Sequence, residues 1–174
     1  MTRSLRPGAR ANAPFIRAVL AGSLVIFAAA CGGSSEPPAV LTPEQQELKQ
    51  QIEARQANFQ DLGAAFKAVS DEMKAGRPAS TTATFSIDSV VRYAPQVRTW
   101  FPEGTGPELG VETDAKAVIW EEPAEFEARL TEFEAAVQGL AAAKQSGDAG
   151  AIQAAFMTTG GTCKSCHDKF REED

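Results

Sequence analysis

The chain has few of the residues that most often carry chemistry in proteins. It contains one histidine, one tyrosine and three cysteines among its 174 residues. Any function that needs an imidazole must therefore use the single histidine. An apolar run from Ala18 to Ala30 has 13 residues, whereas a helix needs roughly 20 to cross a bilayer. This run is too short to be a membrane span.

The histidine and two of the cysteines form one motif near the end of the chain. Residues 163–167 read Cys-Lys-Ser-Cys-His, which is the attachment signature of a c-type haem (heme c). Two thiols three positions apart can each add to one vinyl group of the same porphyrin, and the next residue presents an imidazole to the iron. The motif predicts one haem c bound through Cys163 and Cys166, with His167 as the axial metal ligand.

The third cysteine, Cys31, follows a segment typical of an export signal. Residues 1–30 carry arginines but no acidic residue, then a short apolar stretch and small residues, as a signal peptide does. The small residues of Ala28-x-Ala30 would suit cleavage by the ordinary signal peptidase. A bacterial lipoprotein would instead be lipidated at Cys31, and residues 31–42, rich in Gly, Ser and Pro, would be a flexible tether. Both alternatives predict a periplasmic protein, in contact with the membrane only through a lipid anchor if Cys31 is lipidated.

Acidic side chains outnumber basic ones in the mature chain. Loss of the four signal arginines from 17 basic residues leaves 13 against 23 acidic residues, a net charge of −10. Proteins that bind nucleic acid need a basic surface to neutralise phosphates. The charge therefore argues against nucleic acid as a partner and against binding to anionic lipid by charge.

The apolar periodicity after the tether is helical. Thr42 to Gln45 combine an N-cap, a proline at the first helical position and a capping-box glutamine. A heptad-like seam then continues to Met73, before Gly76-Arg77-Pro78 ends the first helix. A second helix is predicted from Ser80 to Trp100, and Pro95 should kink it or end it early.

Two more helices follow a long loop that is rich in proline and glycine. The third opens near Pro123 and ends at Gly147-Asp148. The fourth places Cys163 and Cys166 on its core-facing seam, where a buried porphyrin would need them. Four amphipathic helices predict an all-α fold, an antiparallel four-helix bundle over residues 43–174 with haem c near the C-terminal helix.

Arg55 is the one charged residue on the apolar seam of the first helix. A guanidinium at a core position must either leave the core or find an anion. One interpretation is that the side chain snorkels out at the helix edge. The other is that a haem propionate accepts a bidentate pair of hydrogen bonds from it.

These features together resemble the cytochrome c′ family, within the class II cytochromes c. The resemblance spans nearly the whole domain, from about Gln46 to Arg171, and a haem motif at the C-terminal end distinguishes it from class I cytochromes c. The matching segments are Arg55-Gln56, Trp100-Phe101 with Gly104-Thr105, Asp114 to Trp120, Ala155-Phe156 and Cys163 to Arg171.

The resemblance implies roles for individual residues. Haem would be held covalently by the two motif cysteines with His167 as proximal ligand, and Arg55 would bind a propionate. Gln56 and Asp114 match positions that line the haem pocket. Arg171 matches a basic residue beside the proximal imidazole. In that family a dimer through the first two helices is common, so a homodimer is a further expectation.

Phe59 matches the family's distal position, four residues after the arginine. Low-spin relatives have a methionine there as the sixth iron ligand. A phenyl ring cannot coordinate iron, so the resemblance implies the five-coordinate, high-spin type.

Three functions are consistent with a C-x-x-C-H motif in this setting. The first is one-electron transfer with redox partner proteins, and the second is binding of nitric oxide or carbon monoxide at the vacant haem face. The third, a redox pair or structural zinc site, is disfavoured: no thioredoxin-like βαβ pattern is present, and a zinc site needs four ligands. No nucleophile–base pair is visible, because the histidine is assigned to iron, so the sequence predicts a protein that is not an enzyme.

Overall fold

The structure, a computed structural model, describes residues 40–173. The predicted signal peptide and most of the predicted tether, including Cys31, lie outside the described residues. None of the described helices is both long and apolar enough to cross a membrane.

The first helix, α1 (Pro43–Lys74), begins at the predicted capping box. The hydroxyl of Thr42 accepts a hydrogen bond from the backbone N–H of Gln45 at 3.2 Å, and the Gln45 side chain accepts one from the Thr42 N–H at 2.9 Å. Two otherwise unpaired N–H groups are satisfied in this way. The helix ends before Gly76, whose φ of +70° favours glycine.

The second helix, α2 (Thr81–Tyr93), is shorter than the sequence predicted. It is capped by Ser80, whose hydroxyl accepts from the Ala83 N–H at 3.0 Å. The predicted helix to Trp100 instead changes at Ala94 into a 3₁₀ segment, Ala94–Thr99. Pro95 lacks an N–H and cannot continue the α-helical pattern, so the prediction of an early end is confirmed.

The segment from Trp100 to Glu122 is a long connection with little regular structure. It contains a 3₁₀ turn, Pro107–Leu109, and a single helical turn, α3 (Val118–Glu121). Between these turns Ala115 forms an isolated antiparallel bridge with Arg171. The connection is therefore attached to the C-terminal end of the chain.

The last two helices, α4 (Pro123–Ser146) and α5 (Ala149–Phe170), form a hairpin. Gly147, with φ of +69°, allows the reversal, and the Asp148 carboxylate caps α5 by accepting from the Ala151 N–H at 2.6 Å. Short connections join α1 to α2 and α4 to α5, so each pair is antiparallel. Together they form an all-α four-helix bundle.

Two apolar clusters fill the bundle. The Leu140 cluster contains Val69, Ile87, Leu140, Ala143, Ile152 and Phe156. The Trp100 cluster consists of eleven buried residues: Leu62, Val90, Ala94, Val97, Trp100, Ile119, Phe126, Leu130, Phe133, Val137 and Phe170. Phe59, Phe101, Trp120 and both motif cysteines pack against the Trp100 cluster. Three of the predicted site residues, Phe59, Cys163 and Cys166, therefore meet at the Trp100 cluster.

Candidate haem-binding site

The motif cysteines lie on α5 with their thiols directed at apolar surroundings. Cys163 and Cys166 are free, half-buried and packed against the Trp100 cluster. Burial raises the pKa of both thiols, that of Cys166 to about 11 with a smaller contribution from Cys163. Such a site suits the apolar face of a porphyrin better than a charged ligand. Within residues 40–173, no group of three or more His, Cys, Asp and Glu side chains is placed to hold a metal ion.

His167 lies one residue after the second cysteine, in the last turn of α5. It is exposed overall, and with Asp168, Arg171, Glu172 and Glu173 it lines an open cleft of about 230 Å³. Partial burial of the imidazole lowers its pKa, and the nearby Arg171 cation lowers it further. The neutral form, which is the form that binds iron, is favoured at neutral pH.

Arg55 is buried on α1, with 3% of its surface exposed. Its guanidinium lies over the ring of Phe101, 4.9 Å from the centroid, and 5.9 Å from that of Trp120. It donates to the hydroxyl and carbonyl oxygens of Thr105, both at 3.0 Å, and to the hydroxyl of Thr113 at 2.9 Å. The side chain therefore does not snorkel out to solvent.

The charge of Arg55 has no nearby counter-ion. Among the described residues, no carboxylate oxygen lies within 4.0 Å of its guanidinium, and its three hydrogen-bond acceptors are neutral. Burial lowers the pKa of Arg55, and the more distant Glu108 only partly opposes this effect. A buried cation without an anion is costly. Arg55 thus fits a haem propionate.

Phe59 lies one turn after Arg55 and is half-buried. Its ring makes edge contacts with Trp100, with centroids 4.9 Å apart, and with Phe101, with centroids 5.9 Å apart. Residues at i and i+4 share a helix face, so Arg55 and Phe59 both face the end of the bundle that holds the Trp100 cluster.

The remaining predicted residues lie at two different places. Gln56 is exposed, and its amide donates to the Glu112 carbonyl at 3.1 Å. Asp114 is also exposed, and its carboxylate lies 3.5 Å from Nε of Arg171. Gln56 therefore holds the loop to α1, whereas Asp114 faces the C-terminal end of the chain.

Four residues of the site were missed as functional residues by sequence reasoning. Phe101, Thr105, Thr113 and Trp120 surround the Arg55 guanidinium. Phe101, Thr105 and Trp120 lie in segments that match the family, but the resemblance gave them no role. For Thr113 the only signal was the unusual length of the loop, which is typical of a functional segment.

Comparison with known proteins shows the family of the chain. A sequence profile described as Cytochrome C′ matches residues 50–171, which includes Arg55 and the whole C-x-x-C-H motif. The chain belongs to the cytochrome c′ family. Membership implies a covalently bound c-type haem, and cytochromes c′ are electron-carrying or gas-binding proteins that are typically periplasmic.

Relatives of this chain are similar over most of its length. Cytochrome c′ from Pararhodospirillum photometricum is 34% identical over 122 residues, which is 70% of this chain and 95% of that protein. The crystal structure of cytochrome c′ from Rubrivivax gelatinosus is 37% identical, with a TM-score of 0.66, and the match covers 72% of this chain and 97% of that one.

A third similar structure shares the fold at lower identity. It is a nitric oxide complex of a variant of cytochrome c′ from Alcaligenes xylosoxidans, 24% identical, with a TM-score of 0.65 over 72% of this chain and 97% of that one. At this identity the likeness shows the four-helix fold alone.

Proposed function

We propose that this chain is a periplasmic cytochrome c′ that carries one electron on a single haem c. The haem would be attached to Cys163 and Cys166, with His167 as the axial ligand of the iron. The main support is the placement of the C-x-x-C-H motif on α5, where both thiols pack against the Trp100 cluster. When bound, the haem supplies a metal that accepts and donates one electron.

The protein side chains would fix the position of the ring. The two thiols each form one thioether bond, three positions apart on the same helix face. Arg55 supplies the positive charge for a propionate, since no carboxylate of the described chain neutralises it. The surrounding aromatic residues exclude water and lower the local dielectric constant, which strengthens that charged contact.

Gas binding is a second candidate function, and Phe59 is the residue that favours it. A phenyl ring offers no ligand atom, so the iron would keep one face without a protein ligand. Apolar surroundings favour small uncharged ligands such as nitric oxide and carbon monoxide over water or anions. The nitric oxide complex of the Alcaligenes xylosoxidans variant is consistent with access to such ligands in this fold.

A membrane anchor at Cys31 and a homodimer remain proposals. The anchor is supported by the sequence around Cys31. The dimer is supported by Phe85 on α2, whose side chain is large, apolar and 71% exposed. If α2 forms a dimer interface, Phe85→Lys should shift the protein to the monomer in analytical ultracentrifugation. An unchanged distribution would remove that support.

Covalent attachment is tested by acid-acetone extraction of protein matured in a host with cytochrome c assembly. The wild type should retain its haem. The double variant Cys163→Ala/Cys166→Ala should lose it, whereas Ser165→Ala, between the two cysteines, should retain it. Complete release of haem from the wild type would overturn the proposal.

A further inference from the structure

The loop between α2 and α4 contacts both Arg55, the residue proposed to bind a propionate, and α5, the helix that carries His167. At one end Thr105 and Thr113 accept hydrogen bonds from Arg55. At the other end, the Lys116 N–H donates to the Phe170 carbonyl at 3.0 Å, and the Glu172 N–H donates to the Asp114 carbonyl at 2.8 Å. Neighbouring residues 113 and 114 therefore contact opposite sides of the site.

The hydrogen bonds of Arg55 leave few donors for another group. A guanidinium has five N–H groups in a fixed fork. Nη2 donates to the Thr105 carbonyl and the Thr113 hydroxyl, and Nη1 donates to the Thr105 hydroxyl. Three donors are therefore used, which leaves Nε–H and one N–H of Nη1. These two N–H groups lie on different edges of the guanidinium plane, so one carboxylate can accept from only one of them. The threonines thus determine which part of the fork is free.

The two threonine hydroxyls are themselves held in place. Thr105 is fully buried, and its hydroxyl donates to the Pro102 carbonyl at 2.7 Å. The same carbonyl accepts from Nε1 of Trp120 at 3.2 Å, and that indole lies beside the guanidinium. The Thr113 hydroxyl also accepts from the Ala115 N–H at 3.2 Å. Because the proton of Thr105 is directed at Pro102, its lone pairs face Arg55.

We propose that Thr105 and Thr113 are positioning residues, which orient Arg55 so that one of its remaining N–H groups meets a haem propionate. This inference rests on the proposed haem-binding function. The threonines do not contact the propionate in this role. They act through Arg55, by holding its guanidinium plane against Phe101 and by restricting its free donors to two.

A double-mutant design separates this role from simple loop stability. Thr105→Val and Thr113→Val remove the hydroxyls but keep the side-chain shape, whereas Thr→Ser at either position keeps the hydroxyl. Each threonine substitution is made in the wild type and in Arg55→Leu. The reduction potential and the urea unfolding of the haem-loaded protein are then measured for every variant. Thr131→Val is the control, since that exposed hydroxyl on α4 donates only to the Glu127 carbonyl.

The valine variants should shift the reduction potential of the wild type, and the serine variants and Thr131→Val should leave it unchanged. In Arg55→Leu the valine substitutions should cause no further shift, because the residue through which they act is gone. Arg55→Met serves as the background if Arg55→Leu does not accumulate.

Two results would overturn the proposal. One is an equal additional shift of the potential in both backgrounds. The other is a loss of stability in the valine variants with no change in potential, which is the result expected of loop anchors only. Failure of the haem-binding function itself is distinct, because the wild type would then lose its haem in acid acetone.

Discussion

The ring of Phe59 meets the indole of Trp100 edge to face, with centroids 4.9 Å apart and planes at 85°. Trp100 is buried, and Tyr93 makes a further edge contact with it, with centroids 6.2 Å apart. Edge-to-face pairs contribute about 0.5–1.5 kcal/mol beyond the area that they bury. The phenyl ring at the predicted distal position is therefore held by a fixed aromatic neighbour.

Phe59→Ala should accelerate carbon monoxide binding to the ferrous protein. A ligand that enters beside Phe59 must displace its ring, which weakens the contacts with Trp100 and Phe101. Loss of about 1.4 kcal/mol from that barrier corresponds to roughly tenfold in rate, measurable by stopped flow. Phe59→Met should instead supply a thioether and move the iron toward low spin.

Phe66→Ala is the matched control for Phe59. Phe66 is also half-buried on α1 and packs against both apolar clusters, but its ring stacks on Phe156, with centroids 4.3 Å apart, rather than on Trp100 or Phe101. Phe66→Ala should lower the stability of the protein without changing the rate of carbon monoxide binding. Equal rates in the wild type and Phe59→Ala would show that Phe59 does not cover the iron.

Arg55→Leu should lower the reduction potential and destabilise the haem-loaded protein. A cation beside the haem favours the ferrous form, which carries one more negative charge than the ferric form, so its removal favours the ferric form. Hydrogen bonds to charged groups contribute about 1.5–3 kcal/mol. Arg92→Leu, at an exposed position on α2, is the control. Unchanged potential and stability in Arg55→Leu would contradict a role for Arg55 in seating the haem.

The sequence predicted the features that depend on short spacings. The α1 capping box, the early end of α2 near Pro95 and the position of the cysteines on α5 all follow from residues within a few positions of one another. Such local patterns determine helix starts, breaks and faces regardless of the rest of the chain.

The partners of Arg55 were not predictable in the same way. Thr105 and Thr113 lie 50 and 58 residues further along the chain, in a loop without periodicity. The anomalous charge of Arg55 was visible in the sequence, but the loop conformation that surrounds it depends on the packed bundle. The exposure of Phe85 also depends on how α2 is oriented against its neighbours.

The stability of the bundle should fall in acid partly through Glu72. Arg77 donates to its carboxylate at 2.9 and 2.8 Å, and the Ser80 hydroxyl donates at 2.8 Å. The bonds from Arg77, then that from Ser80, lower the pKa of Glu72 below its ordinary value of 4.5. A lowered pKa contributes stability above pH 4.5 that is lost as pH falls through the folded-state pKa.

Glu72→Gln should therefore be less stable than the wild type at pH 7, with a smaller decrease in stability below pH 4.5. Urea unfolding of the haem-loaded protein at a series of pH values measures this. Glu47→Gln is the control, since Glu47 is exposed on α1 and the described chain gives it no ion pair. Parallel pH profiles for Glu72→Gln and the wild type would contradict this role for Glu72.

Cys31→Ser should release the protein from the membrane fraction or impair its processing. Each buried methylene of an acyl chain contributes about 0.8 kcal/mol, and two or more chains suffice for stable anchoring. The wild type should therefore sediment with membranes after cell lysis. Recovery of all wild-type protein in the osmotic-shock fluid would support the soluble, unlipidated alternative.

The most direct test of the proposed haem site is the absorption spectrum of the ferric, ferrous and carbon-monoxide-treated protein. A single covalent haem with His167 on one face and Phe59 over the other predicts a five-coordinate, high-spin ferrous spectrum. Carbon monoxide should convert it completely to a six-coordinate, low-spin form. A ferrous spectrum that is already six-coordinate and low-spin would contradict the account. A methionine such as Met73 or Met157 would then be the ligand to test.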